Sequence, residues 1–361
     1  MKINKRNGVF RTLLSAMTLV AATSCSEWTD VESINLNEPT IEEQNSELYT
    51  KYLENLRQYK SAEHKIAYVQ FDNTRKGYQS RADHLTDLPD SIDIVSLVSP
   101  ELTSDEVKEM NQIRNDKGTR VIYTIKYTDL EAAYIATYPG TDEDFENSTA
   151  ILGKGDDISD NQFLSFMNDY MDKTFALCDQ YGYDGINICY SPKNAAHMEG
   201  QKQLIEQNRQ NTFMKKISDW RSNHMSAMLL FEGNLVFLKD KTILKGCNYF
   251  IVDASDVITV EGLTSAVRMM IIEDIPADRF IVCVPTYSLD SNDLETGYFI
   301  NAQGSSVSAI QATAYWVLTP EKGLGKAGMG VYHVKNDYYN PAFIYPNVRI
   351  AINIMNPSPN N

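Results

Sequence analysis

Asn187, Cys189 and Ser191 are spaced by two in the run Tyr181-Gly182-Tyr183-Asp184-Gly185-Ile186-Asn187-Ile188-Cys189-Tyr190-Ser191-Pro192. Side chains along a strand alternate faces, so these three share one face and Ile186, Ile188 and Tyr190 share the other. An amide, a thiol and a hydroxyl can hydrogen-bond a polyhydroxylated ligand. None of them is a carboxylic acid, and a serine hydroxyl cannot protonate a leaving group near neutral pH. Losing a positioned general acid costs about 10²–10⁴ in rate. Two acids elsewhere are candidates for that role. Glu232 follows the fifth strand candidate and Asp253 ends the sixth. Each reads equally as a cap, a surface charge or an acceptor for a ligand hydroxyl. His64, His84, His197, His224 and His333 show no metal-ligand spacing, and only His333 is placed near a strand end of interest. Cys178, Cys189, Cys247 and Cys283 form no CxxC pair and read as buried free thiols. No metal and no cofactor are expected.

The elements that must position these residues alternate along the chain. Strand-like runs occur at 66–71, 92–98, 120–127, 184–190, 226–231, 247–252, 279–284 and 328–334. Helical patterns cover the region around Leu48 to Leu56 and residues 103–115, 159–180, 200–223, 260–273, 306–318 and 341–354. Thr103-Ser104-Asp105-Glu106 starts one of these with acids in its first turn, and Gly118 follows its end. An acidic loop containing Asp142-Glu143-Asp144 is expected after the third strand. Strands separated by helices imply parallel pairing through crossovers. Eight such units close into an α/β fold, a single-domain (β/α)8 TIM barrel over residues 43–361. The alternative is an open doubly wound sheet, but no Gly-rich phosphate fingerprint follows the first strand. Barrels bind ligands at the C-terminal ends of their strands. Asn187, Cys189 and Ser191 would then point into the lumen and rise toward that rim, with Tyr190 supporting the floor. Aromatic and amide side chains at such a rim can supply contact area and hydrogen bonds to a ligand. The candidates at strand ends are Phe71 with Asn73, Tyr127, Phe231, Tyr287 and Tyr332.

The N-terminus reads as a targeting segment. Lys2, Lys5, Arg6 and Arg11 precede a short apolar run at 12–22, then Ala22-Thr23-Ser24-Cys25. The run is too short to span a bilayer. Small residues directly before a cysteine resemble a lipoprotein signal: residues 1–24 are removed, Cys25 is lipidated and 25–42 form a tether. An ordinary secretory signal with an incidental cysteine is the other reading. A lipidated cysteine anchors a protein without spanning the membrane. Removing 1–24 leaves 29 basic against 48 acidic residues, a net of −19. That balance argues against nucleic acid or an anionic membrane surface as partners and is compatible with a neutral ligand, which needs no steering field.

The run at Asp184 resembles the signature strand of family 18 glycoside hydrolases, the chitinases and endo-β-N-acetylglucosaminidases. That signature reads Asp-Gly-x-Asp-x-Asp-x-Glu. Asp184, Gly185, Ile186, Ile188, Tyr190 and Pro192 keep its frame. Asn187, Cys189 and Ser191 replace its acids, and Ser191 stands where the family has its proton donor. In the family, the preceding Asp orients the substrate's N-acetyl group, whose carbonyl attacks the anomeric carbon. Gly328-Met329-Gly330-Val331-Tyr332 is similar to the family's Gly-rich last strand. The resemblance implies a glycosidase barrel with a degenerate site, able to hold GlcNAc-containing glycans such as an N-glycan core or a chitin-like chain. Together with the anchor it implies an outer-membrane lipoprotein at the cell surface, holding glycan for neighbouring glycosidases and an outer-membrane importer. The alternative is an active endo-β-N-acetylglucosaminidase or chitinase whose acid has moved to Glu232 or Asp253.

Overall fold

Eight short strands close into a parallel barrel in the computed structural model, which describes residues 45–138, 160–198, 200–273, 275–339 and 343–357. The first seven are β1 (Ile66–Phe71), β2 (Ile94–Leu97), β3 (Arg120–Lys126), β4 (Gly185–Cys189), β5 (Met228–Glu232), β6 (Tyr249–Asp253) and β7 (Phe280–Pro285). A small antiparallel hairpin of β8 (Tyr298–Ile300) and β9 (Ser306–Ser308) stands apart from the barrel, and β10 (Lys326–Tyr332) is the eighth barrel strand. The barrel strands follow one another in chain order, and β1 pairs with β10 to close the ring. Every residue of β7 is buried. A parallel strand covered on both faces needs such a continuous apolar run. The whole barrel belongs to one compact unit, Tyr52–Asn361. Helix α1 (Ser46–Ser61) begins in the preceding stretch of chain.

The helices α2 (Ser104–Lys117), α3 (Tyr127–Thr137), α4 (Asn161–Tyr181), α5 (Gln201–Asn223), α6 (Val260–Met270), α7 (Ala309–Leu318) and α8 (Pro346–Met355) complete the described helical layer. Helix α2 starts as its sequence predicts. Thr103 Oγ1 accepts from the Glu106 N–H at 3.2 Å, and the Glu106 carboxylate accepts from the Thr103 N–H at 2.7 Å. Its end is set by Gly118 in the left-handed region at φ 68°. On α4, Phe163, Met167, Met171, Phe175 and Cys178 form the buried stripe. None of the described helices is long and apolar enough to cross a membrane.

Four local expectations need correction. Helix α3 occupies the first part of the expected acidic loop, and β3 stops at Lys126. The β8–β9 hairpin takes the start of the expected seventh crossover helix, so α7 begins only at Ala309. Strand β10 starts at Lys326, through a register shift at Lys326/Gly328, and ends at Tyr332. The last helix starts at Pro346, where proline fits the first turn. Asp142-Glu143-Asp144, the signal, Cys25 and the tether lie outside the described residues.

Two apolar layers flank the sheet. Alternate strand residues, Val69, Val95, Val121, Ile186, Phe231, Phe250 and Val282 among them, pack outward under the helices. The other set, Tyr68, Ile94, Ile122, Leu230, Ile251, Ile281, Cys283 and Tyr332, fills the lumen. Gly330 is required there, because a Cβ at that position would run into Cys283 Sγ and the Tyr68 ring.

Candidate functional site at the C-terminal mouth of the barrel

Pairing register decides which side chains meet in the lumen. Asn187 on β4 lies opposite Thr124 on β3 and Leu230 on β5. Cys189, one pleat higher, lies opposite Lys126 and Glu232. Alternation therefore brings Asn187, Cys189, Glu232, Thr124 and Lys126 onto the inward face of three adjacent strands. Asn187 Nδ2 donates to Glu232 Oε2 at 2.6 Å and to Thr124 Oγ1 at 3.2 Å. The Tyr332 hydroxyl, arriving from β10, donates to Glu232 Oε1 at 2.8 Å. Ser96 Oγ and Thr124 Oγ1 share a hydrogen bond at 2.5 Å beneath them.

Glu232 is the centre of this network. It is only 6% exposed, and each of its oxygens accepts one hydrogen bond. Burial pushes its carboxyl pKa up; the Tyr332 and Asn187 donors pull it back, Asp253 raises it and Lys126 lowers it, and the net shift is upward. The Cys189 thiol is raised by burial and further by the Glu232 charge, so it stays protonated and is no nucleophile. Asn187 is fully buried, and its Oδ1 has no hydrogen-bond partner among the described residues. A buried unpaired acceptor costs about 1–3 kcal/mol. A water or a ligand N–H in the lumen would relieve it.

Ser191 lies past the end of β4 and is exposed. Its Oγ accepts from the Asn234 N–H at 3.1 Å, which ties the β4 and β5 loops together. Asp253 is exposed and caps a turn, accepting from the Ser255 N–H at 2.9 Å and Ser255 Oγ at 2.6 Å. Its charge still reaches Glu232 and Cys189. Tyr287 is half-buried and donates its hydroxyl to the Asn336 carbonyl at 2.6 Å. His333 is exposed just beyond β10, with a left-handed φ of 55°.

The expected rim aromatics are placed differently. Phe231 is 1% exposed and packs outward. The parity that turns Glu232 into the lumen must turn its neighbour away. Phe71 is buried in the same outer layer, under the Lys335 ammonium 4.7 Å from its ring. Tyr127 and Tyr190 pack against each other, tilted by 45° at 4.6 Å, and both meet Phe213 of α5. Asn73 is buried as a loop brace: its Oδ1 accepts from the Val98 and Ser99 N–H groups and its Nδ2 donates to the Ser99 carbonyl. None of Phe71, Asn73, Tyr127, Tyr190 or Phe231 presents a free face at the mouth. Thr124, Lys126 and Ser96 were missed as lumen residues. The signal for two of them was available, since Ile122, Thr124 and Lys126 repeat with period two.

The opposite end of β4 is built for structure. Asp184 accepts a two-pronged bond from Arg114 at 2.9 Å and 2.9 Å, and its Oδ2 accepts from the Val121 N–H at 2.8 Å. Gly185 follows because a Cβ there would run into the Met228 carbonyl oxygen of β5.

A family model, glycoside hydrolase family 18, BT1044-like, matches residues 29–354. Among solved structures, a selenomethionine form of BT1044 with a glutamate-to-glutamine substitution superposes with a TM-score of 0.62 at 18% identity, covering 88% of this chain and 96% of that one. A family 18 chitinase from Pseudoalteromonas aurantia gives 0.48 at 11% identity over 79% of this chain and 99% of that one. The chitinase-like agglutinin RobpsCRA from Robinia pseudoacacia gives 0.47 at 10% identity over 80% and 99%. At 18% identity the likeness to BT1044 is one of fold. Comparison with curated protein sequences gives no match.

Proposed function

The chain belongs to glycoside hydrolase family 18, and from that premise we propose that it binds a GlcNAc-containing glycan at the C-terminal mouth of its barrel without cleaving it. The observation that carries this reading is the position of the acids. Ser191 occupies the proton donor's place in the strand signature, and its Oγ is engaged by the Asn234 N–H. The nearby Glu232 sits lower, at the level of Cys189, with both oxygens already accepting bonds. A carboxyl held that way can orient a ligand amide or hydroxyl. The unpaired Asn187 Oδ1 is an acceptor for an N-acetyl N–H or for the water that such a group displaces. Affinity would come from a preformed cleft whose walls cost little to order.

Localisation belongs to the same proposal. Residues 1–24 act as a lipoprotein signal, Cys25 carries lipid, 25–42 form the tether, and the barrel works at the outer-membrane surface beside glycosidases and a glycan importer. The test is a calorimetric titration with a high-mannose N-glycan, comparing wild type with Tyr332→Phe. Saturable heat that weakens in the variant supports the mouth as the binding site. No heat for this glycan or for a chitooligosaccharide overturns the proposal.

A second reading has one observation in its favour. The raised pKa of Glu232 keeps a buried carboxyl closer to a general acid's working range. In that case the protein hydrolyses its glycan, and Glu232→Gln abolishes the cleavage.

A further inference from the structure

The other mouth of the barrel holds a wide cavity. A space of about 700 Å³ opens among the N-terminal strand ends, with Ile66, Ile94, Met228 and Tyr249 along its floor. Its walls come from the ends of α1 and α2 and the entries to β2, β3 and β4, and carry Arg57, Lys60, Arg114 and Arg120 against Asp93 and Asp184. Both carboxylates are already matched. Asp184 takes the Arg114 fork and the Val121 N–H. Asp93 takes His64 Nε2 at 2.8 Å and the Ala67 N–H at 2.8 Å. The bond to Asp93 raises the His64 pKa, which favours its charged form.

Three cations remain with spare donors facing this space. Arg120 touches Asp184 only at 3.5 Å, and its side chain is 62% exposed. Arg57 gives Nη1 to the Asp116 carbonyl at 2.7 Å, leaving most of its five donors. Lys60 gives Nζ to the Ile92 carbonyl at 2.6 Å and to Thr119 Oγ1 at 2.8 Å, which leaves one of its three. Burial pulls the Lys60 amine down to about 8 against the opposing pull of the Asp93 and Asp90 charges. All this occurs on a chain whose formal net charge is −15. Arg57, Lys60, Arg114 and Arg120 outnumber Asp93 and Asp184 along this lining, and such an excess in one concavity creates a local field for anions.

We propose that the N-terminal mouth of the barrel is a binding site for a phosphate monoester, held by Arg57, Lys60 and Arg120. A phosphate group carries about −1.5 to −2 charge near pH 7 and three strong acceptor oxygens. It matches two guanidinium groups and an ammonium in number of bonds and in charge. The apolar floor would take the body of the ester. The site is independent of the glycan reading, since it uses other residues at the other end of the strands.

The probe is inorganic phosphate, titrated into the full chain at constant ionic strength against a chloride reference. Glucose 6-phosphate is added as a second ligand to separate recognition of an ester from recognition of the free ion. Saturable one-to-one binding is expected. Arg57→Gln and Arg120→Gln should each weaken it by about tenfold, the loss expected for one charge-assisted partner. Arg120→Gln leaves the Arg114–Asp184 fork in place, so an unchanged unfolding midpoint without phosphate shows that folding is intact. Lys239→Gln, a surface cation elsewhere, should change nothing. Absence of saturable phosphate binding overturns the proposal, as does binding that both arginine variants retain at full strength. Binding of phosphate with none of glucose 6-phosphate overturns the ester part.

Discussion

The two ends of strand β4 serve different purposes. At its N-terminal end Asp184 and Gly185 both serve packing. Asp184 takes the Arg114 fork and the Val121 N–H, and Gly185 permits a close approach to Met228. At its C-terminal end stand Asn187, Cys189 and Ser191, none of them an acid, and the carboxylate at the level of Cys189 is Glu232 on β5. Residues that build the barrel and residues that would work in it are thus separated along one short stretch, 184–191, that contains β4.

Substitutions can separate the two roles. The largest effect is expected from Phe231→Ala. This ring is 1% exposed beneath the helices, and truncating a buried phenylalanine costs about 3–5 kcal/mol. Denaturant unfolding should show that loss. A variant close to wild type would put Phe231 at the mouth after all. Asp184→Ala should cost about 3 kcal/mol, because it strands the Arg114 fork and leaves the Val121 N–H unpaired. Its folded fraction should bind glycan as wild type does. Weakened affinity at full folding would make the structural end of β4 part of the site. Tyr332→Phe should cost about 2 kcal/mol of stability, one hydrogen bond to a buried carboxylate.

Glu232→Gln should act through pH. A carboxyl raised in the folded protein above its ordinary 4.5 binds its proton more tightly when folded than when unfolded. Stability from this group is present at low pH and is lost as pH climbs from that ordinary value through the folded one. The glutamine variant lacks this titration. Its stability relative to wild type should rise with pH across that window. Parallel stability curves for the two proteins would mean that Glu232 is not perturbed.

Much of the fold was legible from the amino acids because periodicity carries it. Period two fixed the inward set on β4, and the capping residues Thr103 and Glu106 with Gly118 bounded α2. Helix α3 was missed for a physical reason. It follows β3 without a linker, and its cap position is Lys126, with no side-chain cap bond to mark a start. The site was harder to read. Glu232 could be placed at a strand end, yet its bonds to Asn187 and Tyr332 depend on register between β4 and β5 and on barrel closure through β10. Neither is written in a local pattern. The aromatics misled because position at a strand end does not say which way a ring faces. Phe231 next to Glu232 had to turn outward, and Tyr127 became the first residue of a helix.

Binding without cleavage stands or falls on whether glycan survives contact with the protein. Mass spectrometry of a high-mannose N-glycan after prolonged incubation with the full chain tests it most directly. The expected result is intact glycan under conditions where calorimetry shows it bound. A product split between the two core GlcNAc residues, formed by wild type and absent with Glu232→Gln, would contradict it and make Glu232 the acid of a working glycosidase.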